Sequence, residues 1–242
     1  MFESKILCGD CIEVMSKLEN KSIDMILCDL PYGTTQCKWD IIIPFDDLWK
    51  QYERIIKDNG AIVLTATQPF TSQLVMSNLK LFKYSLIWEK SKSTGYLNSK
   101  KMPMRSHEDI LVFYKKPPTY NPQMTEGKPY DKGTAHRPTE VYSEQKKEIH
   151  VKNETGLRYP KSIQYFKTAE SEGKVYHPTQ KPVKLFEWLI KTYSNEGEII
   201  LDNCLGSGTT AISCINTNRR YVGIEKDENY FNIAKERLEN LI

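Results

Sequence analysis

No apolar run in the 242-residue sequence approaches the roughly 18–20 residues of a membrane-spanning helix. The opening stretch, MFESKILCGD, has no signal-peptide pattern. Together these predict a cytoplasmic protein with no membrane partner. Histidine is scarce, at four residues. The six cysteines, Cys8, Cys11, Cys28, Cys37, Cys204 and Cys214, include one C-x-x-C pair, with no second pair and no histidine at zinc spacing. Reduced thiols in or near a core are expected, and no metal site. Neither G-x-S-x-G nor G-x-G-x-x-G occurs. The first absence argues against a hydrolase built on Ser106, His107 and Glu108, and the second against a standard dinucleotide loop. No internal repeat is found.

What is present is an ordinary globular composition, 39% hydrophobic and 27% charged. The length suits one core, or one core with an inserted subdomain. Net charge is +3. From Lys115 to Tyr176 there are 12 Lys or Arg against 8 Asp or Glu, an excess of +4, so the remainder carries −1. A basic segment of this kind suits contact with phosphates. A solvated surface insert would have the same charge.

The first third alternates strand and helix patterns. Strands are expected at 6–10, 22–29 and 61–67, and helices at 11–20, 46–60 (with Gly60 as its stop) and 70–80. YSLIWEK (84–90) and EDILVFYKK (108–116) read as strands close enough to pair antiparallel. From residue 117 to about 175 the chain is rich in Pro, Gly, Thr, Lys and Tyr, with no sustained period. So long a loop is unusual inside a compact domain, so this segment is read as a functional insert. A helix (181–194), a strand (198–204), a helix opening at GSGTT, a strand (220–227) and a closing helix (228–241) complete the chain. Strands alternating with helices predict an α/β fold with a mostly parallel sheet covered on both faces. The expected divisions are 1–116, 117–175 and 176–242.

LDNCLGSGTT (201–210) has the layout of a ligand loop: a strand ending in Asp202, a Gly-x-Gly turn, then a helix from Thr209. Glycines admit close backbone approach, and free amides at the helix start attract negative charge. The next strand ends in Glu225, 19 residues after Gly206, where an acid can accept from ribose hydroxyls. Ala211 stands where a dinucleotide loop has its third glycine, which favours another adenosine-bearing ligand such as S-adenosylmethionine.

DLPYG (29–33) ends another strand in a carboxylate and a rigid corner. It resembles the [DNS]-P-P-[YFW] motif of amino-methyltransferases, which methylate the exocyclic nitrogen of adenine or cytosine in DNA. LDNCLGSGTT resembles their D-P-F-x-G-S-G-T-T cofactor loop. YHPTQKPVKLFEWLI (176–190) is similar to the family's H-P-T-Q-K-P segment, and SHEDILVFYKK (106–116) to its strand before the target-recognition region. The order, catalytic motif before cofactor loop, resembles the β class. That implies a Rossmann-like methyltransferase fold, circularly permuted, with a mostly parallel seven-stranded sheet and an inserted target-recognition region at 117–175.

The resemblance implies S-adenosylmethionine as cofactor and a flipped-out base in double-stranded DNA as substrate. Asp29 and the Leu30 carbonyl would accept from the target amine, Pro31 would fix the corner, and Tyr32 would stack on the base. Asp10, Thr179, Lys181, Asp202, Cys204, Gly206, Ser207, Gly208, Thr209, Thr210 and Glu225 would form the cofactor pocket, although a turn cap is nearly as good a reading of Asp10. Two departures stand out: Leu30 replaces the first proline, and Asn203-Cys204 replaces Pro-Phe. The absence of a Pro-Cys pair excludes the covalent C5-cytosine route. An Asp-first motif favours adenine N6, in a restriction-modification, orphan or phage enzyme. Cytosine N4 is the alternative, and a non-catalytic nucleotide- or DNA-binding subunit is the alternative from another class. Arg137, Arg158 and Lys161 are the candidate DNA contacts. The resemblance further predicts a homodimer and a restriction endonuclease partner.

Overall fold

The structure is a computed structural model describing residues 4–37, 39–136 and 148–241. It divides into two compact units, Met1–Asn121 with Ser162–Ile242, and Pro122–Lys161. In the first, β1 (Lys5–Cys8) leads to α1 (Cys11–Ser16), β2 (Ile23–Asp29) to α2 (Phe45–Ile55), and β3 (Ile56–Ala66) to α3 (Phe70–Ser77). Strands β4 (Phe82–Thr94) and β5 (Arg105–Phe113) follow. The second unit holds β6 (Tyr130–His136) and β7 (Glu148–Asn153). The first unit resumes with β8 (Ile163–Phe166), α4 (Val183–Tyr193), β9 (Ile199–Asp202), α5 (Thr209–Asn216), β10 (Arg220–Glu225) and α6 (Glu228–Glu239).

Its sheet has eight strands among the described residues, in the order β1-β10-β9-β2-β3-β5-β4-β8. Strand β5 runs antiparallel to both β3 and β4, and every other pairing is parallel. Alternation along the strands sends side chains to two cores. From β2, Ile26 and Cys28 pack with α1, α2 and α3, while Met25 and Leu27 pack with α4. Strand β2, far from β9 in sequence, pairs with it through Met25–Ile200 and Ile26–Leu201. The two halves are therefore joined in the middle of one sheet.

Three details differ from the sequence reading. The helix expected over 46–60 stops at Ile55, because Ile56 pairs with Ile23 and opens β3. Gly60 is no helix stop: a Cβ there would lie 2.6 Å from the Asp24 carbonyl oxygen, so the two backbones meet where only glycine fits. The sheet gains an eighth strand, β8, from the segment expected to be irregular. It pairs with β4 at an edge, and its burial alternates between exposed and intermediate, so its sequence carries no apolar run. The second unit likewise contains an antiparallel ladder, β6 with β7, whose register pairs Tyr130 with Asn153 and Thr134 with His150.

Candidate active site

A cleft of about 770 Å³ opens where β1, β2, β9 and β10 reach their carboxyl ends. That is where a doubly wound sheet binds ligands. Asp29 ends β2 inside it. Its Oδ1 accepts from the Tyr32 hydroxyl at 2.6 Å and from the Thr65 hydroxyl, and its Oδ2 accepts from Lys181 Nζ at 2.6 Å. A carboxylate offers about four lone-pair sites, so one position on Oδ2 is left for a donor. The corner beyond it is clamped by Asp40, which accepts from the amides of Gly33, Thr34 and Thr35 at 2.8, 2.9 and 2.7 Å. Tyr32 has two neighbours at its ring. Its ring stacks on Phe70 at 5.1 Å, and Lys181 Nζ lies 5.6 Å from its centroid. Burial first, and then the Asp29 charge, keep its hydroxyl protonated as a donor.

Behind Asp29 lies a chain of buried charges. Lys181 is also 3.4 Å from Glu108, and Glu108 is 3.0 Å from Lys90. The side chains of Lys90, Lys181 and Glu108 are 6%, 7% and 13% exposed. Burial alone would lower the pKa of Lys181, but Asp29 and Glu108 outweigh it and raise it overall. Burial also works against the Glu108 carboxylate, and the two lysines lower its pKa overall. Two cations and two anions thus balance. Sequence reasoning placed Lys181 in the cofactor pocket and missed Lys90 and Glu108. Their signal was present, as charges at the inner ends of two adjacent strands.

The ligand loop follows β9. Gly206 and Gly208 have φ of +54° and +90°, a region other residues rarely adopt. Glu225 accepts from the Gly206 amide at 2.7 Å and the Asp227 amide at 2.8 Å, fixing loop to acid. Ser207 donates to Gln180 at 3.0 Å, and Arg237 donates to the Ser207 carbonyl at 2.5 Å. Thr209 donates to the Lys181 carbonyl at 3.3 Å. The His177 ring lies between Trp39 and Tyr230, and burial lowers its pKa. Its Nδ1 accepts from the Thr179 amide at 3.3 Å. Asp10 caps α1, accepting from the Ile12 amide at 3.0 Å, while its other oxygen accepts from Lys226 at 3.1 Å. It lines the cleft as well as capping the helix.

The Asn203-Cys204 pair also has partners in the structure. The buried Tyr52 hydroxyl donates to Asn203 Oδ1, a bond proline would not supply. Cys204 is a free thiol that accepts from Asn203 Nδ2 at 3.5 Å, and it lines the cleft together with Cys11. Among the described residues, no group of three or more His, Cys, Asp or Glu is placed to hold a metal.

Asp202 is 3% exposed and accepts from the Cys204 amide at 3.0 Å and from the Thr210 hydroxyl. Burial raises its pKa to about 6, against 3.8 unperturbed. The native state therefore binds more protons than the unfolded chain between those values, and stability falls as pH rises from about 4 to 6. Asp202→Asn lacks this loss. Its stability relative to the parent should improve by roughly 2–3 kcal/mol between pH 4 and pH 7. Urea unfolding at the two pH values measures this, and a constant difference would refute it.

Of the candidate DNA contacts, Arg137 lies outside the described residues. Arg158 donates to the carbonyls of Gly156, at 2.7 Å, and Lys128, and sits 4.6 Å over the Tyr130 ring. It braces the second unit. Lys161 is exposed at that unit's end.

A family model described as DNA methylase matches residues 23–236. The chain belongs to this DNA methylase family. Type II methyltransferase M.HpaI of Haemophilus parainfluenzae is 28% identical over 253 residues, spanning 98% of this chain and 75% of that protein. DNA adenine methyltransferase YhdJ of Escherichia coli strain K12 is 28% identical over 254 residues, 97% and 82% of the two chains. Among solved structures, the M1.HpyAVI–SAM complex has a TM-score of 0.64 at 24% identity, covering 96% of this chain and 98% of that one. The cytosine-N4-specific PvuII DNA methyltransferase has a TM-score of 0.67 at 14% identity, covering 98% and 86%. These structures share the fold.

The protein is thus a DNA methylase, and its 201–210 loop resembles one that holds S-adenosylmethionine. The cleft suits that group. Asp10 and Glu225 line it and would offer acceptors to a nucleoside's amine and hydroxyls, and the left-handed glycines would let loop amides approach. When bound, the cofactor supplies an electrophilic methyl group on a sulfonium.

Proposed function

We propose that this DNA methylase methylates adenine N6 at a specific site in double-stranded DNA. One observation carries the reading: Asp29, fixed by Tyr32, Thr65 and Lys181, keeps one acceptor position on Oδ2 beside the corner of Leu30 and Pro31. The lone pair of adenine's amino nitrogen is delocalised into its ring. Acceptors on its hydrogens, from Asp29 and the Leu30 carbonyl, favour a pyramidal nitrogen with that lone pair available. The nitrogen would bond to the methyl carbon as that carbon's bond to the sulfonium sulfur breaks, its electron pair staying on sulfur, and the nitrogen would then give up one hydrogen as a proton to Asp29. Positioning supplies most of the rate. A base in a duplex reaches this corner only after flipping out, which costs a few kcal/mol of unstacking.

Support for adenine comes from the Asp-first corner and from the relative named as a DNA adenine methyltransferase. Cytosine N4 is the second reading, favoured by the fold shared with a cytosine-N4-specific enzyme. The proposal includes a cytoplasmic location and a homodimer. A restriction endonuclease partner is proposed from the relatives named type II methyltransferases. The test incubates the purified protein with radiolabelled S-adenosylmethionine and mixed-sequence duplex DNA, then identifies the labelled nucleoside. Label in N6-methyldeoxyadenosine is expected. Label in N4-methyldeoxycytidine would overturn the choice of base. No label, with cofactor binding confirmed by thermal shift, would favour a non-catalytic binding subunit.

A further inference from the structure

Between β4 and β5 the chain projects as an arm in which residues 91–107 are all exposed. The arm carries four large apolar side chains: Tyr96 is 75% exposed, Leu97 97%, Met102 59% and Met104 38%. It also carries Lys92, Lys100, Lys101 and Arg105 and not one acid, since Glu89 and Glu108 lie outside it. Lys92, Lys100, Lys101 and Arg105 form no ion pair among the described residues, and the charge of Lys92 helps lower the pKa of Glu170. A solvated loop would be polar or of mixed charge. Here apolar surface and unpaired positive charge are held out together.

The arm is ordered. Beyond the Glu89–His107 pair the register shifts, and Thr94 then pairs with Arg105. Gly95, at φ +90°, turns the chain into one 3-10 turn, Tyr96–Asn98. The tip is closed by amide bonds from Asn98 to Gly95 and from Met102 to Asn98, at 2.9 and 3.0 Å. Its root is pinned by the Thr168 amide donating to Ser91 Oγ at 3.0 Å. Thr94 and Arg105 line the mouth of the cleft that holds Asp29.

We infer that the arm is a duplex-DNA contact that grips phosphates through Lys100, Lys101 and Arg105 and wedges Leu97 into the stack beside the extruded base. This rests on the proposed function and names the part of the enzyme that engages its substrate. Charge decides the occupant, because unpaired lysines without acids complement a polyanion. The apolar residues agree: leucine or methionine serves as a wedge between base steps. Neither the basic count over Lys115–Tyr176 nor the candidate DNA residues there include this arm.

The test uses the full chain with Lys100→Gln/Lys101→Gln and Leu97→Ala. Binding to mixed-sequence duplex is measured across salt concentrations. The double variant should lower the slope of log K against log salt by about 1.8, two phosphate contacts at about 0.9 each. On a duplex carrying the site found by sequencing methylated DNA, Leu97→Ala should lose about tenfold in kcat/KM. It should recover to within about twofold when the target base is mismatched, because flipping then costs less. Cofactor binding should not change. If the enzyme methylates DNA and both variants match it in slope and in kcat/KM, the arm proposal fails and the methylase reading stands. If the slope falls but no DNA is methylated, the arm binds DNA and the methylase reading fails. A sedimentation change with unchanged slope would assign the arm to a second copy and overturn the proposal. No duplex binding by the parent would also overturn it.

Discussion

Asp29→Asn should lower kcat for methyl transfer on the order of 10³-fold, with cofactor affinity changed only a few-fold. The side chain keeps its size and one oxygen, so the corner keeps its shape. Its charge is lost, and with it the anion facing a nitrogen that turns positive as its bond to carbon forms. Preorganised electrostatic contacts of this kind are worth about 10²–10³ in rate each. The asparagine must also turn its NH₂ either toward Lys181, a donor, or toward the hydroxyls of Tyr32 and Thr65. Either choice misorders the remaining acceptor. Single-turnover kinetics give the rate, and a thermal shift on adding S-adenosylmethionine gives binding. A variant within tenfold of the parent in single-turnover rate would remove Asp29 from the role argued here.

The largest stability effect is expected at Glu108. Glu108→Gln leaves two buried ammonium groups, Lys90 and Lys181, facing the Asp29 carboxylate alone. Breaking a buried ion pair by removing one partner typically costs about 3–5 kcal/mol. Adding Lys90→Met restores the balance, with Lys181 still paired to Asp29 at 2.6 Å. The double variant should therefore be more stable than Glu108→Gln alone, although it carries one more substitution. Denaturant unfolding of the parent, both single variants and the double variant measures the coupling. Additive losses would mean that the four charges do not act as a unit. The same cycle separates folding from chemistry, since a balanced double variant that folds yet methylates slowly would make Glu108 a positioning residue for Asp29.

Much of this was legible in the sequence because it is local. A strand, a tight turn and a helix follow from neighbouring residues, so DLPYG, LGSGTT and the acid of β10 could be placed before any coordinates. Their order in the chain carried the permutation. Strand β8 and the β6–β7 ladder were illegible for the opposite reason. Exposed and half-buried strands have no apolar period, and their pairing depends on partners distant in sequence.

The α/β class, the motifs, the family resemblance and the residue types of the catalytic corner follow from the linear order of residues. Folding joins Asp29 to Lys181, Glu108 and Lys90 in one buried charge chain, across separations of up to 152 positions. It alone made Gly60 a close-approach residue, set Arg158 to bracing the second unit, and held the 91–107 arm beside the cleft. The physical reason is common to all of them. Turns and caps are governed by energies within a few residues, whereas charge balance, close packing and exposure are properties of what the folded chain brings together from a distance.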